Sequence, residues 1–220
     1  QRSRLNRCWN AAMNNECRMI YLVRHGHTIW NEERRYQGVT DQELSSRGRA
    51  QVKKLTERFR DVAVDHVFSS PSTRAVDTVR VMAKEKCLTL HIEENLREMD
   101  FGAWEGIREE DIIGTCGGRQ YYPDFLNEPK RWKAPGEQFL EAQSRIVNCV
   151  EHILEEYPQG DLVIASHLNV LKLLFMKWFD MENLDVIPRL MMDNTAVNAV
   201  QTEGKLKRLI TWNDTAHLNM

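Results

Sequence analysis

The feature that most constrains this chain is a recurring unit: a short apolar run, a polar loop, then an amphipathic helix. Apolar runs at residues 19–23, 66–69 and 162–165 each lead into such a helix, and 88–92 adds a fourth run. Runs this short and this apolar suit strands buried on both faces. The first helix spans about 44–60, capped by Ser45 or Ser46, with Val52, Leu55 and Phe59 as its inner stripe. The second starts at Pro71-Ser72 and carries Ala75, Val76, Val79, Met82 and Ala83 on one side. A third spans 137–157, and a fourth, apolar most of the way round, spans 169–179. Residues 196–201 and 206–211 form a terminal hairpin about Glu203-Gly204. The alternation predicts an α/β fold, a three-layer sandwich whose mainly parallel sheet is flanked by helices.

The pattern breaks between about 95 and 135, which holds Gly102, Gly106, Gly114, Gly117, Gly118 and Pro123 with Trp104, Tyr121, Tyr122, Phe125 and Trp132. A long irregular stretch inside a compact domain is usually functional. It reads as a cap insertion over an active site, in a single domain at 19–220. Residues 1–18 carry four arginines against Glu16 and lack the apolar core of a secretory signal. They read as a flexible leader or an arm left by expression cloning; an organelle leader stays open. Lys172 and Lys177 interrupt the most apolar helix, so no membrane span is expected. Five cysteines without a CxxC pair suit reduced thiols in a cytoplasmic setting. Thirty basic against thirty-two acidic residues leave a net charge of −2, no field to hold nucleic acid or an anionic membrane. An anionic ligand must therefore meet a local cluster of donors. A homodimer stays open.

Ligands of open α/β sheets bind outside the carboxyl ends of the strands. After the first run come Arg24, His25, Gly26, His27 and Thr28; after the second Ser69, Ser70 and Arg74; after 88–92 Arg97 and Glu98; after the last Ser166 and His167. Two arginines can fork onto a phosphate. A histidine with one ring nitrogen held by a backbone carbonyl presents a bare nitrogen that can accept a phosphoryl group. A second histidine can donate to the oxygens that gain charge. A carboxylic acid beside a phosphate dianion can protonate the leaving alkoxide. Such a site needs neither cofactor nor metal.

Leu22-Val23-Arg24-His25-Gly26-His27-Thr28-Ile29-Trp30-Asn31 resembles the signature of the histidine phosphatase superfamily, also called phosphoglycerate mutase-like. Further blocks follow in that family's order: Gln37-Gly38 with Asp41 and Leu44-Ser45-Ser46-Arg47-Gly48, Ser69-Ser70-Pro71 with Arg74 and Thr78, Leu96-Arg97-Glu98 with Trp104-Glu105-Gly106, Pro135-Gly136-Glu137, and Ser166-His167. The resemblance implies His25 as phosphoryl acceptor, Glu98 as proton donor, and Arg24, Arg74, His167 and Asn31 around the phosphate. His27, Thr28, Gln37, Gly38, Trp104 and Leu168 are expected at the substrate pocket. It implies a metal-independent phosphomonoesterase of the small-molecule branch, with a small phosphate ester as partner. A bisphosphoglycerate-dependent phosphoglycerate mutase and a non-catalytic phosphate sensor are the alternatives.

Other readings compete residue by residue. His25 with His27 reads alone as a metal-binding pair, and Glu105 rivals Glu98 as the acid or is a structural partner. Leu168 and His27 depart from the family pattern, which usually has Gly and Glu or Gln there. Leu168, at a strand-to-helix junction, is expected to trade pocket room for packing.

Overall fold

The computed structural model describes residues 17–114 and 136–219. In chain order these form β1 (Arg18–Arg24), α1 (Ile29–Glu32), α2 (Ser46–Phe59), β2 (His66–Ser69), α3 (Thr73–Glu85), β3 (Leu90–Ile92), α4 (Phe139–Glu156), β4 (Leu162–Ser166), α5 (Leu168–Trp178), β5 (Val197–Glu203) and β6 (Leu206–Asp214). Short 3₁₀ turns at Glu94–Leu96, Gly102–Trp104 and Glu109–Gly114 occupy the described part of the irregular stretch. The expected cap aromatics Tyr121, Tyr122, Phe125 and Trp132 lie outside the described residues, as does most of the leader.

The six strands form one sheet in the order β3-β2-β4-β1-β5-β6. The first four run parallel; β5 returns antiparallel to β1 and pairs with β6 as the hairpin. The period-2 alternation of strands sends successive side chains to opposite layers. Ile20, Leu22, Leu162 and Ile164 join one core with α4 and α5, through residues such as Ile146, Val150, Val170 and Leu174. Val23, Val67, Val163 and Ala165 join the other with α2 and α3, through Leu55, Phe59, Val79 and Met82. These are the three layers that the sequence pattern predicts. Burying each such aliphatic side chain stabilises the fold by about 1.5–3 kcal/mol.

Element ends follow local chemistry. Ser45 caps α2, its hydroxyl accepting from the Gly48 amide at 3.1 Å. Strand β3 is shorter than expected because Cys87, at φ 55°, turns the chain after α3 and Leu88 bonds back to the Ala83 carbonyl. Trp104 corrects the sequence reading: it is fully buried in the α4–α5 core beside Tyr36 and does not wall a pocket. A hydrophobic stretch of backbone turns could be covered either by ligand or by core, and here the core takes the indole. Among the described residues no helix is long and apolar enough to cross a membrane, and Cys17, Cys87 and Cys149 are free thiols.

Helix α2 lies directly against the loop that follows β1. A Cβ at Gly48 would fall 2.0 Å from the His27 carbonyl oxygen, backbone that cannot swing aside as a side chain could. Gly48→Ala should therefore push α2 off that loop and destabilise the protein by about 1–3 kcal/mol, as overpacking does. Urea unfolding checks this, and an unchanged midpoint would mean that the helix shifts freely.

Candidate active site

Strands β1 and β4 are parallel neighbours with Arg24 opposite Ser166. The pairing continues one step, the His25 amide donating to the Ser166 carbonyl at 3.0 Å. The residues after the two strands, His25 and His167, therefore stand side by side with ring centroids 5.2 Å apart. The segment after β2 runs along the same edge: the Ser70 amide donates to the Ala165 carbonyl, and Ser70 Oγ lies 2.7 Å from His167 Nε2. From β3 the chain passes through the first 3₁₀ turn to Glu98, and Ser166 Oγ ties that turn down by donating to the Leu96 carbonyl.

The His25 ring is held by its own loop. Nδ1 is 2.8 Å from the Gly26 carbonyl. A carbonyl only accepts, so Nδ1 carries the proton and Nε2 keeps a free lone pair. Burial, and then the charges of Arg74 and Arg24, hold the ring's pKa well below the usual histidine value. The loop itself is locked. The Gly26 amide donates to Thr78 Oγ1 on α3, and Asn194 Nδ2 donates to both the His25 carbonyl and Asn31 Oδ1. Asn194 was not legible in the sequence; it comes from the turn before β5, distant in the chain.

Two arginines flank the histidines. Arg24 donates to the Met192 carbonyl, and burial lowers its pKa to about 10, so it stays cationic at neutral pH. Arg74, fully buried at the start of α3, donates to the carbonyls of Gly38 (2.7 Å) and Thr40 (3.0 Å), with Asp41 at 3.7 Å. Arg24 Nε, Arg74 Nε and His167 Nδ1 are buried nitrogens without a hydrogen-bond partner among the described residues. Buried donors of this kind are normally paired, and these three belong to the residues gathered around His25.

The two candidate acids separate cleanly. Glu98 is buried at the head of α5. Its Oε1 accepts from the Met99 amide (2.9 Å) and its Oε2 from the Asn169 amide (3.2 Å). Burial raises its pKa; the backbone donors and Arg74 oppose this without reversing it. Glu105 instead clamps the 38–40 loop. It accepts from the amides of Val39 (2.9 Å), Thr40 (2.7 Å) and Phe101 (3.1 Å) and from the Thr40 hydroxyl. That loop supplies the carbonyls that hold Arg74, so Glu105 is a structural partner one contact removed from the site.

A cavity of about 360 Å³ opens onto this edge. Of the residues expected from sequence, Arg24, His25, Asn31, Gln37, Glu98 and Leu168 line it. Arg74 and His167 are buried completely and form no part of its wall. The pocket expectations for His27, Thr28 and Gly38 are corrected. His27 is buried with Nδ1 3.1 Å from Ser45 Oγ. Thr28 caps α1 and donates to Gln37 Oε1. Gly38 is where a Cβ would fall 1.9 Å from Glu105 Oε1, so the glycine makes room for the clamp. His25 and His27 thus serve different neighbours, and among the described residues no group of three or more His, Cys, Asp or Glu gathers as a metal site would need. The sequence reading missed Trp30, Phe101 and Lys172 on the cavity wall. Lys172 carried a signal, since it follows Leu168 by four residues and so shares its helix face.

Residues 20–215 match the family model of the histidine phosphatase superfamily, branch 1. The chain is 27% identical to phosphoserine phosphatase 1 of Hydrogenobacter thermophilus over 203 residues, 90% of this chain and 93% of that one. It is 30% identical to a probable phosphoglycerate mutase, GpmB, of Salmonella choleraesuis over 149 residues, 67% of this chain and 68% of the relative. Among solved structures, Bacillus stearothermophilus YhfR superposes with a TM-score of 0.86 at 29% identity, covering 91% of this chain and 98% of that one.

Leu168 is half-buried, lining the cavity while packing against the α4–α5 core. Leu168→Gly should therefore lower thermal stability, with about 0.5–1 kcal/mol of the loss from helix propensity alone. The same change should raise kcat/KM for bulky phosphate esters relative to p-nitrophenyl phosphate. A constant ratio between substrates would make Leu168 a packing residue only.

Proposed function

The chain belongs to branch 1 of the histidine phosphatase superfamily, and we propose that it hydrolyses small phosphate monoesters through a phosphohistidine on His25. The observation that carries this reading is the bare Nε2 of His25 beside unpaired nitrogens of Arg24, Arg74 and His167, with the buried acid Glu98 on the same cavity. The relatives named as phosphatases add support.

The reaction follows in two steps. In the first, the Nε2 lone pair attacks phosphorus and the ester P–O bond breaks. Glu98, biased by burial toward its protonated form, gives its proton to the departing alkoxide oxygen. Arg24, Arg74 and His167 take up the charge that spreads over the equatorial oxygens. In the second step the Glu98 carboxylate accepts a proton from water as its oxygen attacks phosphorus. The P–N bond breaks, inorganic phosphate leaves, and both side chains return to their starting states. The two arginines supply the positive charge and neutral His167 a hydrogen-bond donor, so no metal enters either step.

One relative is named a probable phosphoglycerate mutase, which favours a second reading on the same histidine. A bisphosphoglycerate-dependent mutase would start with His25 phosphorylated, pass that group to the three-carbon acid, and retain the bisphosphate instead of admitting water. Assay of 3-phosphoglycerate turnover for 2-phosphoglycerate decides between them; this reading expects glycerate and phosphate.

His25→Ala should lower kcat by about 10⁴-fold or more, the scale seen when an obligate nucleophile is removed. Wild-type activity should persist in excess EDTA. A variant keeping a tenth of wild-type turnover would refute the phosphohistidine, and chelation loss restored by zinc or magnesium would revive the metal reading.

Glu98→Gln should lower kcat/KM, which reports the first step alone, by about 10²–10⁴-fold for alkyl phosphate esters and by about tenfold or less for p-nitrophenyl phosphate, because a nitrophenolate departs without a proton. The alkaline fall in alkyl-ester turnover, which reports ionisation of the acid, should vanish in the variant. Glu105→Gln should lower stability and reduce both substrates alike. Equal losses on both substrates in the Glu98 variant would remove Glu98 as the acid.

A further inference from the structure

Lys172 has no role in the steps above, yet it lies on the same cavity as His25 and Glu98. It sits in the second turn of α5, where Leu171, Leu173, Leu174 and Met176 are all buried aliphatic side chains. The lysine itself is 6% exposed. Its Nζ donates to the Ile187 carbonyl at 3.0 Å, and among the described residues that is its one hydrogen-bond partner. The carbonyl belongs to the Leu184–Arg189 turn, which contributes Ile187 and Pro188 to the cavity wall. Arg34 and Arg35, the other cations at the mouth apart from Arg24, already face carboxylates, Glu109 and Glu33 respectively.

A buried ammonium without a carboxylate is costly, and a leucine or methionine would fill this position on packing grounds alone. Binding one peptide carbonyl is a weak reason to retain the charge. Besides burial, the Arg24 charge disfavours the Lys172 ammonium and Glu98 favours it. In the proposed reaction Glu98 faces the departing alcohol, while Arg24 and Arg74 are committed to the phosphoryl oxygens. The cavity thus holds, in Lys172, a cation besides those assigned to phosphate. Burial lowers the Lys172 pKa to about 8, which leaves it mostly protonated at neutral pH.

We propose that Lys172 is a specificity-determining residue whose ammonium receives a carboxylate on the alcohol half of the ester, so that small phosphorylated carboxylic acids are the preferred substrates. The inference rests on the phosphatase reading and adds the substrate class to it. A carboxylate there would supply the anion that Lys172 lacks, forming a charge-assisted hydrogen bond in a site shielded from water. It would also oppose the repulsion between Lys172 and Arg24.

The test compares 3-phosphoglycerate with glycerol 3-phosphate, which has a hydroxymethyl group where the acid has its carboxylate, and uses p-nitrophenyl phosphate as reference. Wild-type kcat/KM should favour the acid by about tenfold or more, the worth of one charged hydrogen bond. Lys172→Met should abolish most of that preference through KM and leave p-nitrophenyl phosphate within about threefold. Lys172→Arg should keep part of it. A wild-type enzyme that treats the two three-carbon esters alike overturns the proposal without any variant, which covers the case of a Met variant that fails to fold. Equal losses on all three substrates would reduce Lys172 to a tie for the Ile187 turn. If the wild type hydrolyses none of them, the phosphatase reading fails instead. Calorimetric titration with 3-phosphoglycerate and glycerol 3-phosphate then decides the Lys172 proposal separately: tighter binding of the acid, weakened in Lys172→Met, supports it, and equal affinities refute it.

Discussion

The parallel pairing of β1 with β4, in register to its last residue, is the constraint on which the site depends. Because Arg24 stands opposite Ser166, the next residue of each strand is a histidine, and a backbone hydrogen bond fixes their relative height. A slip of one residue would turn one ring into the opposite layer. Strand β2 adds Ser70 on the far side of β4, and β5 adds Asn194 on the far side of β1, so the two histidines are braced from both flanks. The helices matter to this edge mainly through their N-terminal turns: α3 brings Arg74 and Thr78, and α5 brings Asn169 to Glu98.

The same arrangement gathers like charge in a dry place. Arg24, Arg74 and Lys172 are cations at or near one cavity, while Glu98, the acid among them, is biased by burial toward its neutral form. Both histidines are kept uncharged by burial and by their cationic neighbours. On the proposed reading an arriving phosphate dianion would meet donors already oriented, at a cost in local stability that is usual for active sites. The surrounding backbone carries the cost: carbonyls of Gly38, Thr40, Met192 and Ile187 each hold one of the cations in position.

The layers, the four parallel strands and the hairpin were legible because each strand is short, apolar and followed by a clear helix signal. The strand-end rule assembled Arg24, His25, Arg74, Glu98 and His167 before any coordinates, and family blocks supplied Asn31. Other features depended on contacts between distant segments. Glu98 and Glu105 are seven residues apart in one irregular stretch, and only the 38–40 loop, folded against Glu105, separates their roles. His27 faces Ser45 because α2 packs on its carbonyl, which spacing could not reveal. Trp104 entered the core because Tyr36 and Phe101 are there to receive it. Lys172 read as a charge interrupting an apolar helix; its four-residue spacing from Leu168 was the missed clue.

That shared helix face separates two kinds of inheritance. On the proposed reading the groups that meet phosphate are placed by the sheet, Arg24, His25 and His167 at the ends of two paired strands and Arg74 just after a third. On the same reading the wall left for the alcohol includes one face of α5, Leu168 and Lys172, and the turn containing Ile187 and Pro188. Side chains there can be exchanged while the strand ends stay as they are. Evolution, or a designer, can therefore retune which alcohol is accepted by substitutions at a few positions on a single helix, leaving the phosphoryl-transfer apparatus untouched.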